Sequence, residues 1–204
     1  MIAVVDYDAG NLRSISQGLR LAGATVEVSG DPDVVRAARA VVVPGVGAAS
    51  DTMANLRARG LDQAIIEATR SGKPYLGVCM GLQVLLTFSE EGGRHPCLGV
   101  FPGVVTRLPE GTKVPHMGWN QVRQVSPHPL LAGIPDGANF YFVHSYYAAP
   151  TDRDGVIGDT EYGLRFPSVL ARAHLMATQF HPEKSGRWGL ALLRNFVRLA
   201  GEAA

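Results

Sequence analysis

Short apolar runs alternate with amphipathic stretches over the first ninety residues. IAVVD (2–6) predicts a strand, and so does the alternating TVEVS (25–29). Between them, Leu12, Ile15 and Leu19 recur at helical spacing, so 11–23 predicts a helix that stops at Gly23. AVVVPG (40–45) is a wholly apolar strand closed by Pro-Gly. Residues 50–72 predict one helix or two, broken near Gly60 and stopped at Gly72. PYLGV (74–78) is a further apolar strand, and GLQVLLTFS (81–89) a further helix. Strands that are apolar on both faces and alternate with helices indicate a doubly wound, mostly parallel α/β sheet flanked by helices. In such sheets ligands bind at the carboxyl ends of the strands. Three loops occupy that position here: YDAGN, PGVGA and CMG.

The rhythm changes from residue 98. Stretches 98–108, 113–125, 139–149, 155–163 and 167–183 are strand-like with little helix between them. They predict an antiparallel extension in the C-terminal half, with at least one strand returning to the main sheet. GRWGLALLRNFVRLAG (186–201) predicts a closing amphipathic helix with Trp188, Leu192, Leu193 and Phe196 on one face. No repeat, low-complexity segment or linker divides the chain, so 1–204 is expected to be one domain.

Composition narrows the function classes. The 204 residues are 46% hydrophobic and 18% charged, ordinary for a globular protein. The 19 basic and 18 acidic residues give a formal net charge of +1 with no basic block, which argues against nucleic acid as a partner. The N-terminal apolar run ends at Asp6 and lacks the flanks of a signal peptide. No run approaches the roughly 18 apolar residues of a membrane span, so no membrane association is expected. Two cysteines do not make a disulfide framework. These features point to the cytoplasm, with reduced thiols.

Cys79 carries the chemistry of interest. Gly77-Val78-Cys79-Met80-Gly81 has the G-x-nucleophile-x-G form of a nucleophile elbow, in which glycines relieve crowding around a sharp strand-to-helix turn. A cysteine there meets the N–H groups and partial positive charge of a helix start. A lone cysteine is also a common small core residue, so the elbow needs a base and an orienter to mean catalysis. Among six histidines, His181 has the best company. His181 and Glu183 lie two apart, and in extended chain would share a face. Glu183 would hold the ring while His181 moves the proton. Read alone, H-P-E is equally a loop charge pair. No further ligands stand at metal spacing, so neither a metal nor a cofactor is expected. Cys97 has no elbow and reads as structural. Pro44-Gly45-Val46-Gly47 is either a plain strand-ending turn or an oxyanion loop, with the Met80 N–H as the second donor.

Together, PGVG (44–47), GVCMGLQ (77–83) and FHPE (180–183) resemble the class I (triad) glutamine amidotransferases over nearly the whole chain. The resemblance implies a flavodoxin-like sheet. It also implies hydrolysis of the glutamine side-chain amide through a cysteinyl thioester, with ammonia delivered to a synthase. It makes Cys79 the nucleophile, His181 the general base and acid, and Glu183 its orienter. It gives Gly45, Gly47, Met80 and Gln83 to glutamine and its oxyanion, and His144, Ser145 and Tyr146 to the amino-acid end of glutamine. DYDAGNLRS (6–14), KVPHMGWNQV (113–122), FVHSYY (142–147) and HPEKSG (181–186) are similar to members that form a heterodimer with a separate cyclase (synthase) subunit. In those members Tyr7, Asn11, Trp119, Asn120 and Lys184 match partner-facing positions. Read alone, Trp119 is also a core residue and Lys184 a solvated charge. Asp8 stands where the family usually has glycine. The alternatives are the glutaminase of another synthase, such as pyridoxal phosphate synthase, a related cysteine hydrolase, and a catalytically silent scaffold. A rotating peptide in PGVG, triggered from the partner, would switch the site on.

Overall fold

A computed structural model describes residues 1–8 and 11–201. In chain order the first half runs β1 (Ile2–Val5), α1 (Leu12–Leu21), β2 (Val26–Ser29), α2 (Pro32–Ala37), β3 (Ala40–Val43), α3 (Ala49–Ala58), α4 (Leu61–Arg70), β4 (Tyr75–Val78) and α5 (Met80–Gln83). The second half holds β5 (Phe88–Ser89), β6 (His95–Pro96), β7 (Gly103–Arg107), β8 (His116–Gln124), β9 (Ala138–His144), β10 (Tyr146–Pro150), β11 (Val156–Glu161), β12 (Arg165–Arg172), β13 (Leu175–Thr178) and the closing helix α6 (Gly186–Leu199).

Nine strands form the main sheet in the order β2-β1-β3-β4-β13-β12-β11-β8-β9, and a smaller sheet runs β10-β7-β5-β6. The expected parallel sheet with an antiparallel extension is therefore present. The strands from β2 through β4 and β13 pair parallel, and those from β13 through β9 pair antiparallel. β13 is the strand that returns: Thr178 pairs with Val78, immediately before Cys79. Both faces are covered, as the apolar runs require. Val42, Leu76 and Val78 pack with Ile15 and Leu19 of α1 and with Leu192 and Phe196 of α6. Val41, Val43 and Tyr75 pack with Val35, Met53, Leu56 and Ile65 of α2 to α4. Each fully buried aliphatic side chain contributes roughly 1.5–3 kcal/mol.

The predicted break near Gly60 is real. This residue has φ +68 between α3 and α4, a conformation that costs glycine little. Two elements differ from expectation. Helix α2 lies outside the predicted elements: Asp31 caps it by accepting from the Asp33 N–H, and Pro32 takes its first turn. Helix α5 stops at Gln83 instead of reaching 89. The carbonyls of Val84, Leu85 and Leu86 accept from the N–H groups of residues 98–101, which ends the helical ladder. Among the described residues, no helix is long and apolar enough to cross a membrane.

Candidate active site

Cys79 stands between β4 and α5 at φ 54, ψ −102, a strained conformation for a residue with a side chain. A Cβ on Gly77 would run into the carbonyl of Gly81, and a Cβ on Gly81 into that of Val43. The two glycines are thus required by close approach, as the elbow pattern implies. The strain is held from several sides. The Cys79 N–H donates to Thr178 O at 2.7 Å, and the buried Tyr75 hydroxyl donates to Gly81 O at 3.0 Å.

His181 and Glu183 meet, but not through extended chain. Pro182–Lys184 is a 3-10 turn, so the same-face argument from a strand is corrected. The turn is pinned to β9. The His181 N–H donates to Tyr141 O at 2.9 Å, and the Ser185 hydroxyl donates to His181 O at 2.6 Å while accepting from the Tyr141 N–H. His181 Nδ1 lies 2.8 Å from Glu183 Oε1, with both side chains 1% exposed. The Asn11 amide donates to the same oxygen. His181 Nε2 has no hydrogen-bond partner among the described residues. Burial opposes charge on the ring, but Cys79 and Glu183 outweigh it and raise its pKa to about 10.

A cavity of about 240 Å³ opens beside Cys79. Gly47, Met80, Gln83, His144, Ser145 and Tyr146 line it, so six of the seven residues expected to meet glutamine share one space. Gly45 lies behind it against Tyr7 and Met80, with room for no side chain. The Met80 N–H faces Gly45 O at 3.5 Å, so this candidate oxyanion donor already has an acceptor. Two further residues reach the site without having been singled out in the sequence. Glu91 lines the cavity and accepts from the Ala49 N–H at 3.0 Å. Gln179, just before the FHPE run, directs Nε2 at Cys79 Sγ at 3.7 Å. Among the described residues, no group of three or more His, Cys, Asp or Glu could hold a metal.

The five expected partner-facing residues divide. Trp119 is 58% exposed, lies edge-on to Tyr141, and shares that ring with the Lys184 ammonium, 5.9 Å away. Met117, on the same face of β8, is 63% exposed and was not foreseen. Asn120 points the other way, with its amide on Glu161 O and His116. Asn11 spends its amide on Glu183. Tyr7 is corrected: it is 1% exposed, and its hydroxyl donates to Pro44 O at 2.8 Å, so the ring props the PGVG loop from inside. Asp8 takes φ +65, where glycine is freer, and its carboxylate pairs with Arg59. Ala9 and Gly10 of the same motif lie outside the described residues.

The histidines set opposite pH slopes. The raised His181 pKa lends stability that is complete below pH about 6.5 and fades as pH climbs to about 10. Burial pushes His116 down to about 4 and His144 to about 3; their contribution is complete above about 6.5 and fades as pH falls toward those values. Denaturation midpoints should therefore peak near neutrality. Glu183→Gln removes one charge that holds the His181 proton, so it should flatten the alkaline limb and leave the acid limb in place.

A parallel-sheet elbow bearing a thiol, backed by a His–Glu pair and opening on a small cavity, is the arrangement of a thiol-dependent amidohydrolase. Residues 3–200 match the model of the family "Glutamine amidotransferase class-I", and the chain belongs to that family. "Imidazole glycerol phosphate synthase subunit HisH" of Dehalococcoides mccartyi is 52% identical over 200 residues, covering 98% of both chains. The protein of the same name from Herpetosiphon aurantiacus is 56% identical over 200 residues, covering 98% of this chain and 95% of its own. A solved structure titled "Crystal structure of glutamine amidotransferase" superposes with a TM-score of 0.77 at 20% identity, covering 98% of each chain, a likeness of fold.

Proposed function

We propose that the chain, one amidotransferase domain over 1–204, is the glutaminase subunit of imidazole glycerol phosphate synthase in histidine biosynthesis. It works in the cytoplasm as a heterodimer with the cyclase subunit. The observation that carries the reading is the His181–Glu183 pair buried beside Cys79, which lines a cavity walled by residues 144–146.

In this reading the Cys79 sulfur attacks the side-chain amide carbon of glutamine, and charge develops on the amide oxygen. His181, charged at neutral pH and held through Nδ1 by Glu183, gives its Nε2 proton to the nitrogen as the C–N bond breaks and ammonia leaves. A thioester remains on Cys79. Water then attacks it, giving one proton to His181 and the other to solvent, and glutamate departs as the Cys79 thiolate is restored. The Glu91 carboxylate suits the α-ammonium of glutamine, and the wall from His144 to Tyr146 its carboxylate end. The Met80 N–H becomes an oxyanion donor once the Gly45–Val46 peptide rotates its carbonyl away. Gly47, at φ +103, gives the loop room to do so.

Ammonia is wasted if it escapes, so a partner must cap the site. Met117 and Trp119, both exposed, and the Lys184 ammonium beside Tyr141 offer that partner an apolar anchor with a cation at its edge. Trp119→Ala should weaken binding of the cyclase subunit by about thirtyfold or more, measured by calorimetric titration. The melting temperature of the free chain should hardly move, because the ring is largely exposed. The alternative synthases and a silent scaffold are not favoured: full-length relatives at about half identity carry the imidazole glycerol phosphate synthase name, and the three triad residues are intact. Reconstitution tests the proposal. With the cyclase subunit and its nucleotide substrate, glutamine should support imidazole glycerol phosphate formation. Synthesis that runs on ammonium salts but never on glutamine would refute it.

A further inference from the structure

The proposed reaction leaves one buried polar side chain, His116, without a role. His116 of β8 and His144 of β9 are cross-strand neighbours, 3% and 6% exposed. His116 Nδ1 lies 2.9 Å from His144 Nε2, and His144 Nδ1 lies 2.9 Å from Tyr146 O. At the other end, Asn120 Nδ2 lies 3.2 Å from His116 Nε2.

Only one assignment of hydrogens satisfies this chain. A carbonyl oxygen can only accept, so His144 Nδ1 carries a hydrogen. Burial keeps both rings neutral at pH 7, with one N–H each. His144 Nε2 is then a bare lone pair, so His116 Nδ1 must donate to it and His116 Nε2 must accept. The Asn120 amide supplies that donor. Its orientation is fixed independently by two backbone groups: Oδ1 accepts from the Gln121 N–H at 2.8 Å, and Nδ2 donates to Glu161 O at 3.0 Å.

A second chain reaches the same carbonyl from the nucleophile. Gln83 Nε2 donates to Tyr146 O at 2.8 Å and to Gln179 Oε1 at 3.3 Å, which turns Gln179 Nε2 toward Cys79 Sγ. Tyr146 O is thus where a chain from β8 meets a chain from Cys79.

We propose that His116 is a positioning residue for glutamine. Held as the Nδ1–H tautomer by Asn120, it fixes the His144 ring and, through it, the cavity wall from His144 to Tyr146. This rests on the reading of that cavity as the glutamine site. The plainer account is that His116 is a packed ring, stacked on Tyr162 at 3.9 Å and Phe142 at 4.9 Å. A phenylalanine at 116 would keep the stacking and lose the donor. An asparagine would lose the ring but place Nδ2 where Nδ1–H stood. The two accounts therefore predict opposite rankings of the variants.

The test has two arms on the full chain. Long-range proton–nitrogen spectra of the free wild-type protein at pH 7 should show the Nδ1–H form for both His116 and His144; an Nε2–H signature at either ring overturns the proposal. In the complex with the cyclase subunit, His116→Phe should raise KM for glutamine about five- to tenfold with kcat within about twofold, and His116→Asn should recover most of that loss. An unchanged KM in His116→Phe, or an equal loss in both variants, overturns it as well. The spectra stand even if a variant fails to fold. A wild-type complex without glutaminase activity would instead sink the functional reading, leaving the tautomer result to stand alone.

Discussion

Cys79→Ala is expected to cut glutamine hydrolysis by at least about a thousandfold, while the variant mixed with the proposed cyclase partner still makes imidazole glycerol phosphate from added ammonium salts. Alanine keeps the Cβ and the backbone needs of the elbow, so β4, α5 and the cavity wall should stay in place. It removes only the sulfur that forms the thioester in the proposed reaction. His181 and Glu183 then have a proton to give and no leaving group to give it to. The ammonia-dependent rate is the internal control, since it bypasses the chemistry of Cys79. Glutamine-dependent turnover near the wild-type rate would show that another group carries the reaction. Loss of cyclase binding by the variant would show that the substitution damaged the assembly instead.

Gly81→Ala is expected to have the largest effect on folding. The added Cβ would press on the Val43 carbonyl oxygen, which is backbone at the end of the interior strand β3 and cannot swing aside. Gly81 O also holds the Tyr75 hydroxyl, so a shift of this turn breaks a buried hydrogen bond. Overpacking of this kind costs roughly 3 kcal/mol or more, about 10 °C of melting temperature for a chain of this length. Gly72→Ala is the control. Gly72 has φ +81 and nothing near its Cβ position, so only backbone strain of about 1 kcal/mol applies. If Gly81→Ala melts no lower than Gly72→Ala, the elbow is not as tightly packed as described.

The contrast between these glycines shows what the sequence could carry. The elbow is a local steric pattern, so the spacing of Gly77 and Gly81 around Cys79 was enough to read it. The parallel half of the sheet was equally legible, because strands buried on both faces are written as continuous apolar runs such as VVV at 41–43. Long-range polar pairing has no such local trace. Nothing near Asn11 says that its amide meets Glu183, 172 positions away. Nothing in PHMGWN says that His116 faces His144 across two strands. Tyr7 shows the same limit in reverse. Its motif suggested an outward role, but the ring lies under Pro44 because β1 and β3 are neighbours, which only the sheet order reveals. His181 and Glu183 were paired correctly for a reason that does not apply: a turn joins them, not a strand.

In the proposed function Cys79 is the group that bonds to glutamine. Mass spectrometry of the complex after treatment with a diazoketone analogue of glutamine tests this directly. The peptide bearing Cys79 should gain one analogue mass in step with loss of glutaminase activity. Cys97, half-buried and pushed up to about 11 by desolvation, should stay unlabelled. Inactivation with Cys79 unmodified would contradict the account.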